Sequence, residues 1–231
     1  MPQNITLHKL DFSIYKGNHT VIIGKSGAGK STLLNLILGL YRPSSGKINF
    51  FHRDLNVFNP NQYNRSIGYV SQKPFLFDGT IKENIVFGSN KNLLDINDDE
   101  IWDILKIVDL YDFCQETPLK LETEIGYDGT LFSGGERVRI ALAREIFKKP
   151  KIMIFDELSS SLNLSLENKI LSFIKHQTKN GTTIISVTHS PNFINHSDSI
   201  IFIDRNTIRA WGKSKNIISS RIDELKEIIQ N

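Results

Sequence analysis

The run Gly24-Lys25-Ser26-Gly27-Ala28-Gly29-Lys30-Ser31-Thr32 lies between an apolar stretch at 21–23 and a helix-patterned stretch from Lys30, and it constrains this chain more than any other segment. Its glycines let backbone N–H groups turn inward around an anion, and the helix that follows adds partial positive charge at its first turn. Lys30 is then placed to reach outer phosphates, and the Ser31 hydroxyl to bind magnesium. A glycine-rich turn that only caps a helix has the same composition. The strand before it and the helix after it select the phosphate-binding loop.

Short β-branched runs at 20–23, 47–51, 67–70, 152–155, 182–187 and 199–203 read mostly as strands. Helical patterns fall at 30–38, 98–110, 135–147, 165–177 and 219–229. Strands alternating with helices predict an α/β fold with a largely parallel central sheet. No strand pattern shows over 75–139, where acidic, helix-prone segments predict a helical insertion. The 231 residues suit one domain or two closely joined lobes, and no linker or internal repeat divides them.

Apolar residues at 39% and charged residues at 23% place the chain among soluble globular proteins. The net charge of +3 is scattered, with no basic stripe, so nucleic acid is not an expected partner. Cys114 stands alone and no Cys/His cluster has zinc-ligand spacing, which fits a reducing cytosol. The longest apolar stretch, about 33–41, is interrupted by Asn35 and too short to span a bilayer. Membrane association is expected only through another domain or chain.

Ile152-Met153-Ile154-Phe155-Asp156-Glu157 is an apolar strand ending in two carboxylates, which emerge where parallel α/β sheets bind ligands. Alone this reads as easily as a solvated strand end. With the loop upstream, Asp156 is expected to hold magnesium and Glu157 to polarise an attacking water. The run Leu131-Phe132-Ser133-Gly134-Gly135-Glu136-Arg137, continuing to Arg144, resembles the signature of the ATP-binding cassette family. Ser133, Gly134, Gly135 and Glu136 open a helix and present a hydroxyl and backbone donors to an anion. The resemblance implies that they grip ATP held by a second nucleotide-binding domain in a head-to-tail dimer.

It further implies a P-loop, RecA-like core with a mixed, mainly parallel sheet, an antiparallel β subdomain and a helical subdomain. One nucleotide-binding domain then fills 1–231, with core lobe 1–74 and 140–231 and signature-bearing lobe 75–139. Gln72 resembles the family's glutamine that touches magnesium and water, and His189 its switch histidine near the γ-phosphate. The resemblance thus gives ATP and Mg2+ as cofactors, Glu157, His189 and Gln72 as catalytic residues, and Ser31, Gln72 and Asp156 as metal ligands.

The segments from Gln72 to Ile85 and Thr123-Glu124-Ile125-Gly126 are similar to those of exporters, where both face the membrane domain. Phe75, Leu76 and Phe77 are not helix-periodic, which favours that surface over core. An ATPase driving export from the cytoplasmic face of a membrane is the leading expectation. A hydrolysis-impaired, ATP-gated dimerisation module and a soluble cassette ATPase of DNA repair or translation are the alternatives. The departures Glu136, Leu158 and Asn163 motivate the first alternative, and Glu157 and His189 argue against it; Phe132 and Tyr127-Asp128 are further departures from the family pattern. Glu136 puts negative charge near a partner's triphosphate, and Asn163 stands where an Asp usually helps align the two sites. The family's adenine-stacking aromatic would fall before Met1, so the chain is expected to be a piece of a longer membrane protein. Phe12 and Tyr15 are the nearest substitutes and are expected to pack or face solvent.

Overall fold

The computed structural model describes residues 7–89 and 91–220. The chain begins with β1 (His19–Ile23), α1 (Lys30–Ile37), the short strands β2 (Asn49–Phe50) and β3 (Arg53–Asp54), α2 (Pro60–Ser66) and β4 (Ile67–Val70). Helices α3 (Ile81–Val86), α4 (Asp98–Ile107), α5 (Tyr111–Glu116) and α6 (Gly134–Lys148) follow with no strand between them. After β5 (Ile152–Asp156) come α7 (Leu164–Lys179), β6 (Thr183–Val187), α8 (Pro191–Asn195), β7 (Ser199–Asp204), β8 (Thr207–Lys213) and α9 (Ser214–Ile218). Six strands form one sheet in the order β4-β5-β6-β1-β7-β8, parallel except for the β7–β8 hairpin; β2 and β3 make a separate antiparallel pair. The result is a P-loop α/β fold with a parallel-dominated sheet, as expected.

Both faces of the sheet are covered, which is why β1 reads His-Thr-Val-Ile-Ile with every residue buried. Ile22, Ile154, Ile185 and Ile201 pack on one face with Leu33 and Leu34 of α1 and Tyr63 of α2. On the other, Met153, Phe155 and Ile184 meet Ile140 of α6 and Ile170 of α7. Ile81, Ile85, Ile101 and Leu105 of α3 and α4 join this second core. Cys114 is buried there, and burial pushes its thiol up to about 12.

The structure departs from the pattern reading at two of the expected elements. The helix expected over 98–110 ends early: Val108 caps α4, Asp109 takes the left-handed conformation (φ 59°) that Asp tolerates, and α5 starts at Tyr111. The strand expected over 47–51 shrinks to Asn49–Phe50 because Phe51 and His52 both have positive φ and turn the chain into β3. Phe12 and Tyr15 stand as expected: Phe12 packs with Leu10 and Ile14 against the α1 core, and Tyr15 is exposed. The helix expected over 219–229 lies, beyond Ser220, outside the described residues.

One buried polar group ties stability to pH. His19 on β1 is 2% exposed, its Nε2 is 2.9 Å from Ser186 Oγ, and its ring meets the Phe193 ring edge-on. Burial pushes the imidazole from 6.5 down to about 4. The unfolded chain therefore takes up the proton first, so this contribution is whole above pH 6.5 and lost as pH falls towards 4. About 2 kcal/mol of it should go between pH 7 and pH 5. Urea denaturation at the two pH values should show a loss in the wild type larger by that amount than in His19→Gln.

Candidate active site

Because β4, β5, β6 and β1 run parallel, their carboxyl ends emerge at one edge of the sheet. That edge gathers Gln72 just past β4, Asp156 and Glu157 at the end of β5, His189 just past β6, and the glycine loop after β1. Gly29 adopts φ 101° as the N-cap of α1, and no side chain caps the helix, so its first N–H groups keep no side-chain acceptor. A Cβ on Gly24 would sit 2.3 Å from the Ile203 carbonyl oxygen, so the loop can pass β7 only as glycine. Lys25, Ser26, Gly27 and Ser31 are exposed, Thr32 is half-buried, and Ala28 is anchored in the core.

Lys30 folds back into the loop, donating to the Gly24 carbonyl (2.6 Å) and the Lys25 carbonyl (3.1 Å). The anion-binding loop is thus held open around a cation that is already inside it. Burial lowers the Lys30 pKa, while the charges of Glu157 and Asp156 pull it back up.

Glu157 takes a left-handed conformation (φ 54°), donates its N–H to the Val187 carbonyl (2.9 Å), and opens the 3-10 turn Leu158–Ser161. This kink turns its side chain to Gln72, whose Nε2 donates to Glu157 Oε2 at 2.6 Å. Tyr69 donates its phenol to Asp156 Oδ2 at 3.0 Å. Burial raises the Asp156 pKa; the Tyr69 hydrogen bond and the Lys30 charge oppose that rise. His189 follows the buried Thr188, whose hydroxyl lies 2.6 Å from Ser159 Oγ and accepts the Ser190 N–H at 2.9 Å. Burial and then the Lys30 charge lower the His189 pKa, against the pull of Glu157. Lys30, Gln72, Asp156, Glu157 and His189 therefore share one electrostatic neighbourhood.

The donor set fits magnesium. Ser31, Asp156 and Gln72 offer hard oxygens, and Asp156 Oδ1 carries no hydrogen bond among the described residues. Those residues contain no cluster of three or more His, Cys, Asp or Glu that would cage a metal. That suits an ion held by one carboxylate together with nucleotide phosphates.

The signature residues stand apart from this group. Ser133 and Glu136 form a reciprocal capping box on α6: Ser133 N–H donates to Glu136 Oε2 (2.8 Å) and Glu136 N–H to Ser133 Oγ (3.3 Å). One oxygen of the Glu136 carboxylate is thereby engaged by its own helix start. Ser133 and Gly134 are exposed, and an added Cβ on Gly134 would meet nothing within 4 Å. Three further departures have a structural place. Phe132 is buried against Phe113, Leu158 is 2% exposed, and Asn163 caps α7 by accepting the Leu166 N–H at 2.9 Å.

The 75–77 segment divides between surface and core. Leu76 is fully buried, which corrects the reading of all three as surface, whereas Phe75 is 68% exposed and Phe77 half-buried against Phe87. Pattern reading also missed what holds this segment. Asn84, fully buried, donates to the Phe77 and Thr80 carbonyls. Arg144 of α6 bonds the Asn84 carbonyl (2.7 Å), Asn84 Oδ1 (2.9 Å) and the Phe75 carbonyl (3.0 Å). The Thr80-x-x-Glu83 capping box before an apolar residue was the legible signal for α3. Tyr69 left no such signal.

A phosphate loop, an acid pair, a glutamine and a histidine on the carboxyl edge of a parallel sheet define a P-loop nucleotide-binding protein. Residues 7–160 match the family model described as ABC transporter. A Rickettsia bellii protein named as an export ATP-binding/permease protein is 37% identical over 93% of this chain and 36% of its own length. A mitochondrial ATP-dependent permease of Saccharomyces cerevisiae is 33% identical over 99% of this chain and 33% of its own. The solved structure of a bacterial Atm1-family ABC exporter with ATP bound superposes with a TM-score of 0.85 at 31% identity, covering 96% of this chain and 38% of that one. The chain belongs to the ABC transporter family and corresponds to its ATP-binding part, spanning roughly a third of the length of these relatives.

The capping geometry predicts that Glu136→Gln stays within about 0.5 kcal/mol of wild type, since the amide also accepts the Ser133 N–H. Ser133→Ala should lose about 1 kcal/mol. Chemical denaturation of the two variants checks both values.

Proposed function

We propose that this chain is the ATP-hydrolysing motor domain of an exporter, with one nucleotide-binding domain over 1–231 divided into a lobe of 1–74 and 140–231 and a signature-bearing lobe of 75–139. The observation that carries the reading is the convergence of Lys30, Gln72, Asp156, Glu157 and His189 at one sheet edge, while the exposed signature start on α6 makes no hydrogen bond to them. A site divided in this way is completed by a second copy, head to tail, whose Ser133 and α6 N-terminus face the nucleotide held here.

Magnesium, when bound, would neutralise developing phosphate charge; Ser31, Asp156 and the Gln72 oxygen would hold it. Lys30, on meeting a nucleotide, exchanges its two loop carbonyls for phosphate oxygens. Glu157 orients the attacking water and accepts its proton, with its carboxylate steadied by Gln72 Nε2. His189 is the candidate donor to the terminal phosphate. Exposed Phe75 and Phe87, backed by the Arg144–Asn84 bonds, supply a surface for a membrane domain, in the same polypeptide or another. No helix among the described residues is long and apolar enough to cross a membrane, so the span would lie in that partner. The working position is then the cytoplasmic face of the membrane.

Among the alternatives, impaired hydrolysis is opposed by the presence of Glu157 and His189 at the sheet edge. Magnesium-dependent ATPase activity should be lost in Lys30→Ala, and Glu157→Gln should reduce turnover by about 10²–10⁴-fold while keeping ATP affinity. Steady-state phosphate release and equilibrium binding test both, and unchanged turnover in Glu157→Gln would remove the assigned base. Light scattering should show Glu157→Gln doubling in mass with ATP, and Ser133→Arg staying single.

A further inference from the structure

We propose that Tyr69 is a positioning residue for the magnesium-binding carboxylate: its phenol holds Asp156 Oδ2 and thereby commits Oδ1 to the ion. The proposal rests on the magnesium assignment above and deepens it. In the β4–β5 register Tyr69 lies opposite Ile154, and Asp156 is the next residue on the same face of β5. The phenol therefore crosses diagonally to the carboxylate from a strand whose position is set by pairing. Its ring is packed against the core that contains Ile67, Ile154 and the α1 residues Leu33 and Leu34, so the hydroxyl has little freedom to leave.

An ionised carboxylate only accepts, so the phenol must donate across the 3.0 Å contact. The terminal torsion of Asp is broad and roughly two-fold, so an unheld carboxylate would present either oxygen to an incoming ion. No other side chain bonds Asp156 among the described residues; Lys30, whose charge acts on Asp156, makes its hydrogen bonds to the Gly24 and Lys25 carbonyls instead. Tyr63, also in this core, sends its hydroxyl to the Ile37 carbonyl and serves the backbone instead. Tyr69 is thus the group that orients the metal-facing acid before any nucleotide arrives.

The test compares wild type with Tyr69→Phe, which keeps the ring and removes only the hydroxyl. Binding of the non-hydrolysable β,γ-imido analogue of ATP is measured by calorimetry in EDTA and across a magnesium chloride titration. Equal affinity in EDTA, with the half-maximal magnesium concentration raised about tenfold in the variant, supports the assignment. Superimposable magnesium curves overturn it. So does an equal loss in EDTA, which would mean that Tyr69 shapes the loop rather than the metal-facing acid. A wild-type curve flat in magnesium would strike the metal assignment itself and take this proposal with it.

Discussion

The parallel pairing of β4, β5, β6 and β1 is the constraint on which the chemistry depends. Each strand is short, and each ends in a residue or loop with a polar task, so antiparallel pairing of any one would carry its group to the opposite edge of the sheet. Parallel pairing in turn demands long crossovers and two covered faces, and the helices α1, α6 and α7 supply both. The buried apolar runs are the consequence of that geometry, and the active site is what remains where they stop. Strain is concentrated at the same place: Glu157 holds a left-handed backbone conformation while its own N–H bonds across to Val187 of β6.

Polar groups buried on the helical side of the sheet serve a different end. Asn84 would be costly in a dry core, by about 1–3 kcal/mol for an unmet group, yet its amide bonds two carbonyls and its oxygen takes the Phe77 N–H and the Arg144 guanidinium. The network holds an irregular loop against α6 where apolar packing alone would leave backbone groups unmet. Arg144 thus ties α6 directly to Asn84 and to the Phe75 carbonyl.

Much of this was legible in the residues. The phosphate loop, the acid pair and the parallel sheet announced themselves because each depends on a local pattern: glycine spacing, a strand end, or a continuous apolar run. What escaped was set by distance in the chain or by unusual turn chemistry. The β7–β8 hairpin turns through Arg205 and Asn206, both at positive φ, with no glycine to signal it, so β8 went unread. Tyr69 and Arg144 reach partners 87 and 60 residues away, and no spacing rule connects them. The capping roles of Glu136 and Asn163 were likewise hidden, because they depend on backbone geometry that a family pattern does not state.

The burial of Cys114 has a practical side. With the chain's single thiol enclosed in the helical core and held almost entirely protonated, the exposed surface is chemically silent towards thiol reagents. A cysteine placed at Leu131, 71% exposed and two residues before the signature serine, would be the one group that a maleimide dye or cross-linker can reach. This chain is in this sense already a cysteine-free background, ready for a spin label or fluorophore that watches two copies approach.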